Sequence, residues 1–481
     1  MNLKIILKVL GLLLLVEGIA MLIAMAVALI YGEYDAMAFL ISAAINLGSG
    51  ALIIMLTWKA KKDIGKREGF VIVTMVWIVF SLFGSFPYMI SGAIPNFTDA
   101  FFETISGFTT TGSSILNDIE SLPHGILFWR SISQWLGGMG IIVLSLAILP
   151  VFGIGGMQLF IAEVPGPTPD KISPRITQTA KTLWGIYMLF TAAETLLLWA
   201  GGMSFYDAIC HGFTTMATGG FSTKQASIAH WSSPYIQYVI TVFMFLAGTN
   251  FTLSYLAIKG KFSSVFKDEE FKYYGIIILS FTAIITIGLL VSSQLEFEPA
   301  FRDSIFQVVS IVTTTGYATA DYLLWKPILT MLIFALFFFG GSAGSTGGGI
   351  KIMRIVLLSK NGYYELKRLI HPHAIIPVKF NKHSVDSKIV TNVLAFFMLY
   401  MVIFFVSTII FTLIEPDMES SMGAVATSLG NIGPGLGSVG PAENFYHIKP
   451  IGKWFLSFLM LLGRLELFTV LVLFSPTFWK E

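Results

Sequence analysis

A chain of 481 residues with 55% hydrophobic and only 12% charged side chains is not an ordinary soluble domain, in which about a quarter of residues carry charge. The mean hydropathy of +0.77 assigns it to the polytopic membrane proteins, and a net charge of +2 offers no footing for nucleic acid. The single cysteine, Cys210, excludes an intramolecular disulfide framework.

Ten apolar runs are long enough to cross about 30 Å of hydrocarbon as helices. They are predicted at 9–30, 36–58, 70–90, 131–152, 182–202, 235–258, 273–291, 327–350, 389–414 and 454–474. No small-residue cleavage site follows the first run, so it reads as a retained helix rather than a signal peptide. Four shorter segments, near 99–111, 207–219, 303–315 and 420–432, are too short or too polar to span and read as re-entrant half-helices.

The loops orient the bundle. Basic residues gather in Trp58–Arg67, at Lys171 and Arg175, at Lys259, Lys261 and Lys267, and at Lys360, Lys367, Arg368, Lys379, Lys382 and Lys388. All fall on one side if the ten helices alternate and each half-helix returns to the side it entered from. By the positive-inside rule that side is cytoplasmic, with both termini inside and the half-helices opening outward. Arg130, Lys224, Arg302, Lys326, Lys449 and Lys453 fall on the other side and weaken the bias without reversing it. The connections at 153–181 and 360–388 are too short to be an independent nucleotide-binding domain.

Each half-helix leads into a related segment. These are Phe108-Thr-Thr-Thr-Gly-Ser113, Met216-Ala-Thr-Gly-Gly-Phe221, Val312-Thr-Thr-Thr-Gly-Tyr317 and Gly430-Asn-Ile-Gly-Pro434. They align on Gly112, Gly220, Gly316 and Gly433, and a short polar residue stands thirteen positions before each: Asp99, Asp207, Asp303 and Ser420. One Thr-Thr-Gly carries little information, but four copies in register define a repeated unit of span, half-helix, extended strand and span. The three aspartates are expected as N-caps, with the negative C-terminal ends of the half-helices directed inward. Glycine allows an extended strand to turn carbonyls toward a pore with no side chain in the way. Such carbonyls can replace the hydration shell of a cation. Residues 1–60 stand outside the repeat, and the four units are read as 61–165, 166–265, 266–370 and 371–481.

This pattern resembles the superfamily of Trk, Ktr and HKT potassium transporters, over the whole chain. The two extra N-terminal spans make it more similar to the bacterial TrkH type than to KtrB. The resemblance implies an all-α fold of four pseudo-symmetric membrane–pore–membrane repeats around one pore, with K+ as the transported ion. Carried onto this chain, it implies a filter built from Thr110, Thr111 and Gly112; Thr218, Gly219 and Gly220; Thr314, Thr315 and Gly316; and Asn431, Ile432 and Gly433. Glycine in all four copies is the pattern associated with potassium selectivity. The second and fourth copies depart from Thr-Thr-Thr-Gly, which leaves their carbonyl geometry open. The resemblance also implies a homodimer and a cytosolic nucleotide-binding ring of the TrkA type.

Two features lie in the inner half. Phe339–Gly349 interrupts the eighth span with so much glycine that a stable helix is excluded there. It is either a close-packing surface or an intramembrane loop, and the resemblance makes Gly340, Gly341, Ser342, Gly344, Gly347, Gly348 and Gly349 the gate. Arg464 lies midway along the last span, where an ionisable residue suggests function. It is either half of a structural pair or, by resemblance, a positive charge beneath the filter. Glu17 and Glu194 lie in spans and are expected to pair with polar groups between helices, while His211 and Glu103 are expected to brace the pore from behind. The runner-up function is potassium symport coupled to sodium or protons, which needs the same dehydrating filter. A remote alternative, an intramembrane serine protease using Ser342 or Ser345, rests on a Gly-x-Ser-x-Gly match without its strand-to-helix context. The dinucleotide-like match at Gly435–Gly440 lacks its context as well.

Overall fold

The computed structural model describes residues 1–60, 65–140, 176–293, 295–374 and 376–480. Lys61, Lys62, Lys171, Arg175, the latter half of the fourth predicted span and most of the connection at 153–181 lie outside the described residues. Among the described residues the regular structure is helical apart from a hairpin of two two-residue strands, Lys379–Phe380 with His383–Ser384.

Among the described residues six helices are long and apolar enough to cross a membrane, or up to eight if each bent pair is one span. Leu3–Tyr31 and Ala36–Leu56 form an antiparallel pair at the N-terminal edge. They cross closely because both carry glycine at the contact: a Cβ on Gly50 would lie 2.8 Å from the Gly11 carbonyl. Small residues of this kind let backbones approach where burial of apolar surface gives no net drive. The first helix stops at Gly32, whose left-handed backbone (φ 69°) closes the end with bonds to the carbonyls of Ala28 and Leu29.

Two predicted spans are broken. Pro234–Ala247 and Phe251–Ile258 meet at 109°, and Pro450–Arg464 meets Phe468–Phe474 at 110°. A sharp kink requires the freed backbone groups to find new partners. At the first break Asn250 caps the following helix through Thr252 N–H at 2.7 Å. The Gly248 carbonyl accepts from Ser342 N–H at 2.8 Å, and Phe251 N–H donates to the Gly344 carbonyl at 3.1 Å. At the second break Glu466 and Leu467 both take positive φ, an uncommon conformation for residues with side chains. The eighth predicted span is also not continuous: Pro327–Leu336 ends early, residues 340–351 form a loop, and Ile352–Ile370 follows.

The four half-helices are Phe97–Phe108, Phe205–Met216, Phe297–Val312 and Met418–Gly430. Their caps differ from the expectation. Asn96, Ser204 and Asp417 cap the first, second and fourth through side-chain oxygens, and the third begins after Glu296 with no side-chain cap. Asp99, Asp207 and Ser420 stand third in their helices and Asp303 seventh, so none of the three aspartates is the cap. The polar residue thirteen positions before the glycine has a different task in three copies, that of tying the helix to the strand beyond the glycine. Thr223 Oγ1 donates to Asp207 at 2.6 Å, Thr319 Oγ1 to Asp303 at 3.2 Å, and Ser438 N–H to Ser420 Oγ at 2.8 Å. In the first copy Asp99 pairs instead with Lys453 at 2.6 Å.

Candidate functional site

Each half-helix ends by the same local route. The N–H of the residue before the glycine reaches back five residues: Thr111 to the Ser106 carbonyl (2.9 Å), Gly219 to Thr214 (2.8 Å), Thr315 to Ser310 (2.8 Å) and Ile432 to Thr427 (3.0 Å). The residue two before the glycine takes a left-handed backbone in every copy, with φ of 54° at Thr110, 53° at Thr218, 58° at Thr314 and 54° at Asn431. The glycines follow with φ of 84°, 75°, 81° and 105°. Left-handed geometry costs a non-glycine residue roughly 1–2 kcal/mol. Its recurrence at four positions means the surrounding structure imposes it. Alternating positive and negative φ along an extended strand turns successive carbonyls to the same side, which an ordinary strand cannot do. The divergent second and fourth copies share this geometry with the first and third, which answers the point left open by their sequences.

The four segments close into a ring. A Cβ on Gly112 would fall under 3.0 Å from the Gly219 carbonyl, one on Gly220 from Thr315, one on Gly316 from Ile432, and one on Gly433 from Thr111. Each glycine therefore packs on the carbonyl just before the glycine of the next copy, and the fourth leads back to the first. The strands beyond the glycines repeat this order through Ile119 N–H to Gln225 (3.3 Å), Ala229 N–H to Ala318 (3.0 Å), Tyr322 Oη to Gly435 (2.7 Å) and Phe445 N–H to Ser114 (2.8 Å). A cavity opens over the ring, lined by Gly112, Gly220, Gly316 and Gly433 together with Ser113 and Lys224.

Buried polar groups brace the ring from outside. Glu103 holds Ser114 Oγ at 3.0 Å and Ile115 N–H at 2.9 Å, and pairs with Arg130 Nε at 2.8 Å. Arg130 extends to the Ser222 carbonyl at 3.0 Å and lies over the Phe221 ring, so it joins the first two copies. His211 spans its own helix and the next strand through the Asp207 carbonyl (2.7 Å) and Ser222 Oγ (2.9 Å). Two cations counted against the charge bias, Arg130 and Lys453, are thus buried structural partners rather than loop charges. Glu17 departs from expectation in the opposite sense. The Glu17 carboxyl group is buried against the back of the first half-helix with no hydrogen-bond partner among the described residues, whereas Glu194, equally buried, faces Thr215 of the second half-helix.

The interrupted eighth span lies directly beneath the ring. Gly348 N–H donates to Thr314 Oγ1 at 2.7 Å, and Thr346 Oγ1 donates to the Met216 carbonyl at 3.0 Å. The loop is fastened at both ends by Glu270, which accepts from Ala343 N–H at 2.8 Å and Met353 N–H at 3.0 Å. Arg464 reaches this same place. Its guanidinium donates to Thr110 Oγ1 (3.0 Å), the Thr346 carbonyl (2.8 Å) and the carbonyls of Gly137 and Gly138 (2.7 and 2.6 Å). Glu466 pairs with Arg354. Gly340, Gly341, Ser342, Gly344, Gly347, Gly348 and Gly349 are all in this loop, so the structure brings the inner and outer candidate residues into one column.

Sequence reasoning did not single out Gln134, Arg130, Glu270 or Lys453 as parts of this assembly. A buried polar residue in an apolar run was the available signal for Gln134. The Gly435–Gly440 match is a short turn, Gly437–Val439, within the outer strand of the fourth copy, and not a strand entering a helix.

Four membrane–pore–membrane repeats around one pathway, with a loop and an arginine beneath, define a multi-pass cation transporter and not an enzyme. The chain belongs to the TrkH family of cation transport proteins, whose profile matches residues 35–481. It is 43% identical over 488 residues to the Trk system potassium uptake protein TrkH of Escherichia coli K12, covering 100% of both chains. It is 40% identical over 484 residues to the protein of the same name from Halomonas elongata, again covering 100% of both. The crystal structure of the potassium transporter TrkH from Vibrio parahaemolyticus superimposes with a TM-score of 0.90 at 39% identity, covering 100% of both chains.

Proposed function

We propose that this chain is the pore subunit of a potassium uptake system, in which K+ sheds its water at the four glycine segments. The observation that carries this reading is the closed ring: four copies share one unusual backbone pattern, and each glycine leans on a carbonyl of the next. The relatives named above, described as potassium uptake proteins, support the choice of ion. Thr110, Thr111 and Gly112 and their counterparts in the other copies are the ligand-bearing residues. The negative ends of the four half-helices, which lead straight into these segments, favour a cation at their common centre. The units are residues 61–165, 166–265, 266–370 and 371–481, with 1–60 as peripheral helices.

Gly340–Gly349 is the gate and Arg464 its positive barrier. Supporting this, the loop and the guanidinium both touch filter residues, and so lie where an ion leaving the filter must pass. The protein lies in the inner membrane with both termini cytoplasmic, as a homodimer. Its basic cytoplasmic loops dock a nucleotide-binding ring, in keeping with relatives named as proteins of a Trk system.

Purified protein in liposomes tests the reading through K+-dependent flux and reversal potentials under K+ and Na+ gradients. A reversal potential that follows the K+ gradient is expected. One that follows the Na+ or proton gradient supports the symporter, and no cation flux from folded protein overturns the assignment.

A further inference from the structure

The four copies are braced in different ways. In the first and third, the residues three and one before the glycine share a hydrogen bond through their hydroxyls: Thr109 with Thr111 and Thr313 with Thr315, each at 2.8 Å. In the second copy those positions are Ala217 and Gly219, which have no hydroxyl to offer. Their place is taken from another repeat. Gln134, on the helix His124–Trp135, donates through Nε2 to the Gly219 carbonyl at 2.6 Å and accepts at Oε1 from Phe221 N–H at 3.0 Å. Its side chain is fully buried.

The fit is reciprocal. A Cβ on Gly219 would fall under 3.0 Å from Cδ, Oε1 and Nε2 of Gln134, so this amide and a side chain at 219 exclude each other. Gly219 is absent from the positive-φ glycines of the described residues, so its backbone does not demand glycine. The residue is small there to make room for Gln134. The carbonyl held in this way is the one on which Gly112 packs.

We propose that Gln134 is a positioning and selectivity-determining residue for the second filter segment, replacing the threonine brace of the first and third. The inference rests on the filter reading above. The amide acts as an inserted peptide group, satisfying a donor and an acceptor on either side of Gly220. By taking one lone pair of the Gly219 oxygen it holds that carbonyl in a single direction. Without it the peptide between Gly219 and Gly220 has glycine on both sides and is free to turn. A ring with one movable carbonyl adapts to a smaller cation, so discrimination against Na+ falls.

The full-length protein in liposomes tests this through the ratio of K+ to Na+ flux. Gln134→Glu keeps the length and the acceptor for Phe221 but puts an oxygen against the Gly219 carbonyl, and Gln134→Met keeps the volume and loses both bonds. Each is expected to lower the ratio by about three- to tenfold, the factor one net hydrogen bond represents. A triple variant, Gln134→Ala with Ala217→Thr and Gly219→Thr, rebuilds the hydroxyl brace and is expected to restore the ratio to within about twofold of the parent. A purely structural residue would change yield and leave the ratio alone. Folded single variants with an unchanged ratio overturn the proposal, and so does a triple variant that does not regain selectivity. If the single variants do not fold, the triple variant decides. Gly112→Ser is measured in parallel: if it alters selectivity and the Gln134 variants do not, the clamp is wrong and the filter stands. If none of them does, the filter reading itself falls.

Discussion

Replacing Arg464 separates the role of its charge from that of its hydrogen bonds. The guanidinium touches Thr110 Oγ1 at 3.0 Å, and Thr110 lies two residues before Gly112, the first glycine of the proposed filter. A cation at that level of the filter is roughly 6 Å from the guanidinium centre, and at an effective dielectric near 20 their repulsion is about 3 kcal/mol. With a tenfold rate change for each 1.4 kcal/mol, this sets a ceiling of about 100-fold, which nearby carboxylates such as Glu466 reduce. We expect Arg464→Ala to raise K+ flux about tenfold. Against this, four acceptors lose a partner, at about 1–3 kcal/mol for each that stays dry, so thermal stability falls. Arg464→Lys is the control, because it keeps the charge while breaking most of the fan of hydrogen bonds. The assay is flux per folded protein in liposomes, normalised to size-exclusion recovery. The barrier argument predicts a fast Ala variant and a Lys variant near the parent. Equal flux from the two would refute it and leave Arg464 a structural role.

Three other outcomes follow from the same geometry. Gly112→Ser forces a side chain into a φ of 84° and against the Gly219 carbonyl, so the K+ to Na+ permeability ratio should fall about tenfold; an unchanged ratio removes Gly112 from the filter. Shortening Gly344–Gly349 should raise K+ flux with selectivity intact, because the loop lies below the ring, and a folded deletion with unaltered flux would make the loop packing only. Arg130→Met strands the buried Glu103 carboxylate and should destabilise the protein by about 3–5 kcal/mol, read as a lower Tm in detergent, whereas a shift of a degree or less would contradict the bracing role.

The repeated glycine segments were legible because they combine three short signals at fixed spacing, and glycine at positive φ leaves a trace in sequence. The loop was legible for a related reason, since a run of glycines cannot hold a helix in mid-membrane. The breaks at 247–251 and 464–468 were not, because hydropathy averages over a window and the residues on both sides of each break are apolar. Asp207 and Asp303 misled as caps because a side chain that accepts from a threonine sixteen residues later looks, in sequence, like one that accepts from the next turn, and Asp99 misled because its partner, Lys453, lies in the last unit. Gln134 illustrates the limit most clearly. Its partners lie 85 and 87 residues away, and its significance depends on what Gly219 lacks.

The closure between the fourth copy and the first has a consequence for biosynthesis. Asp99 waits for Lys453, and Ser114 waits for Phe445, so the earliest finished part of the pore is completed by the last to be made. At about 5–20 residues per second, roughly 20–70 s separate emergence of the first unit from that of its final neighbour. Throughout that interval the units already made form an open trough with polar backbone facing a missing wall. Lipid cannot satisfy those groups, so the nascent chain must keep the trough hydrated or sheltered by the insertion machinery until the fourth unit arrives. Truncations within the last hundred residues should accordingly be recognised as unfinished and degraded, however complete their remaining helices.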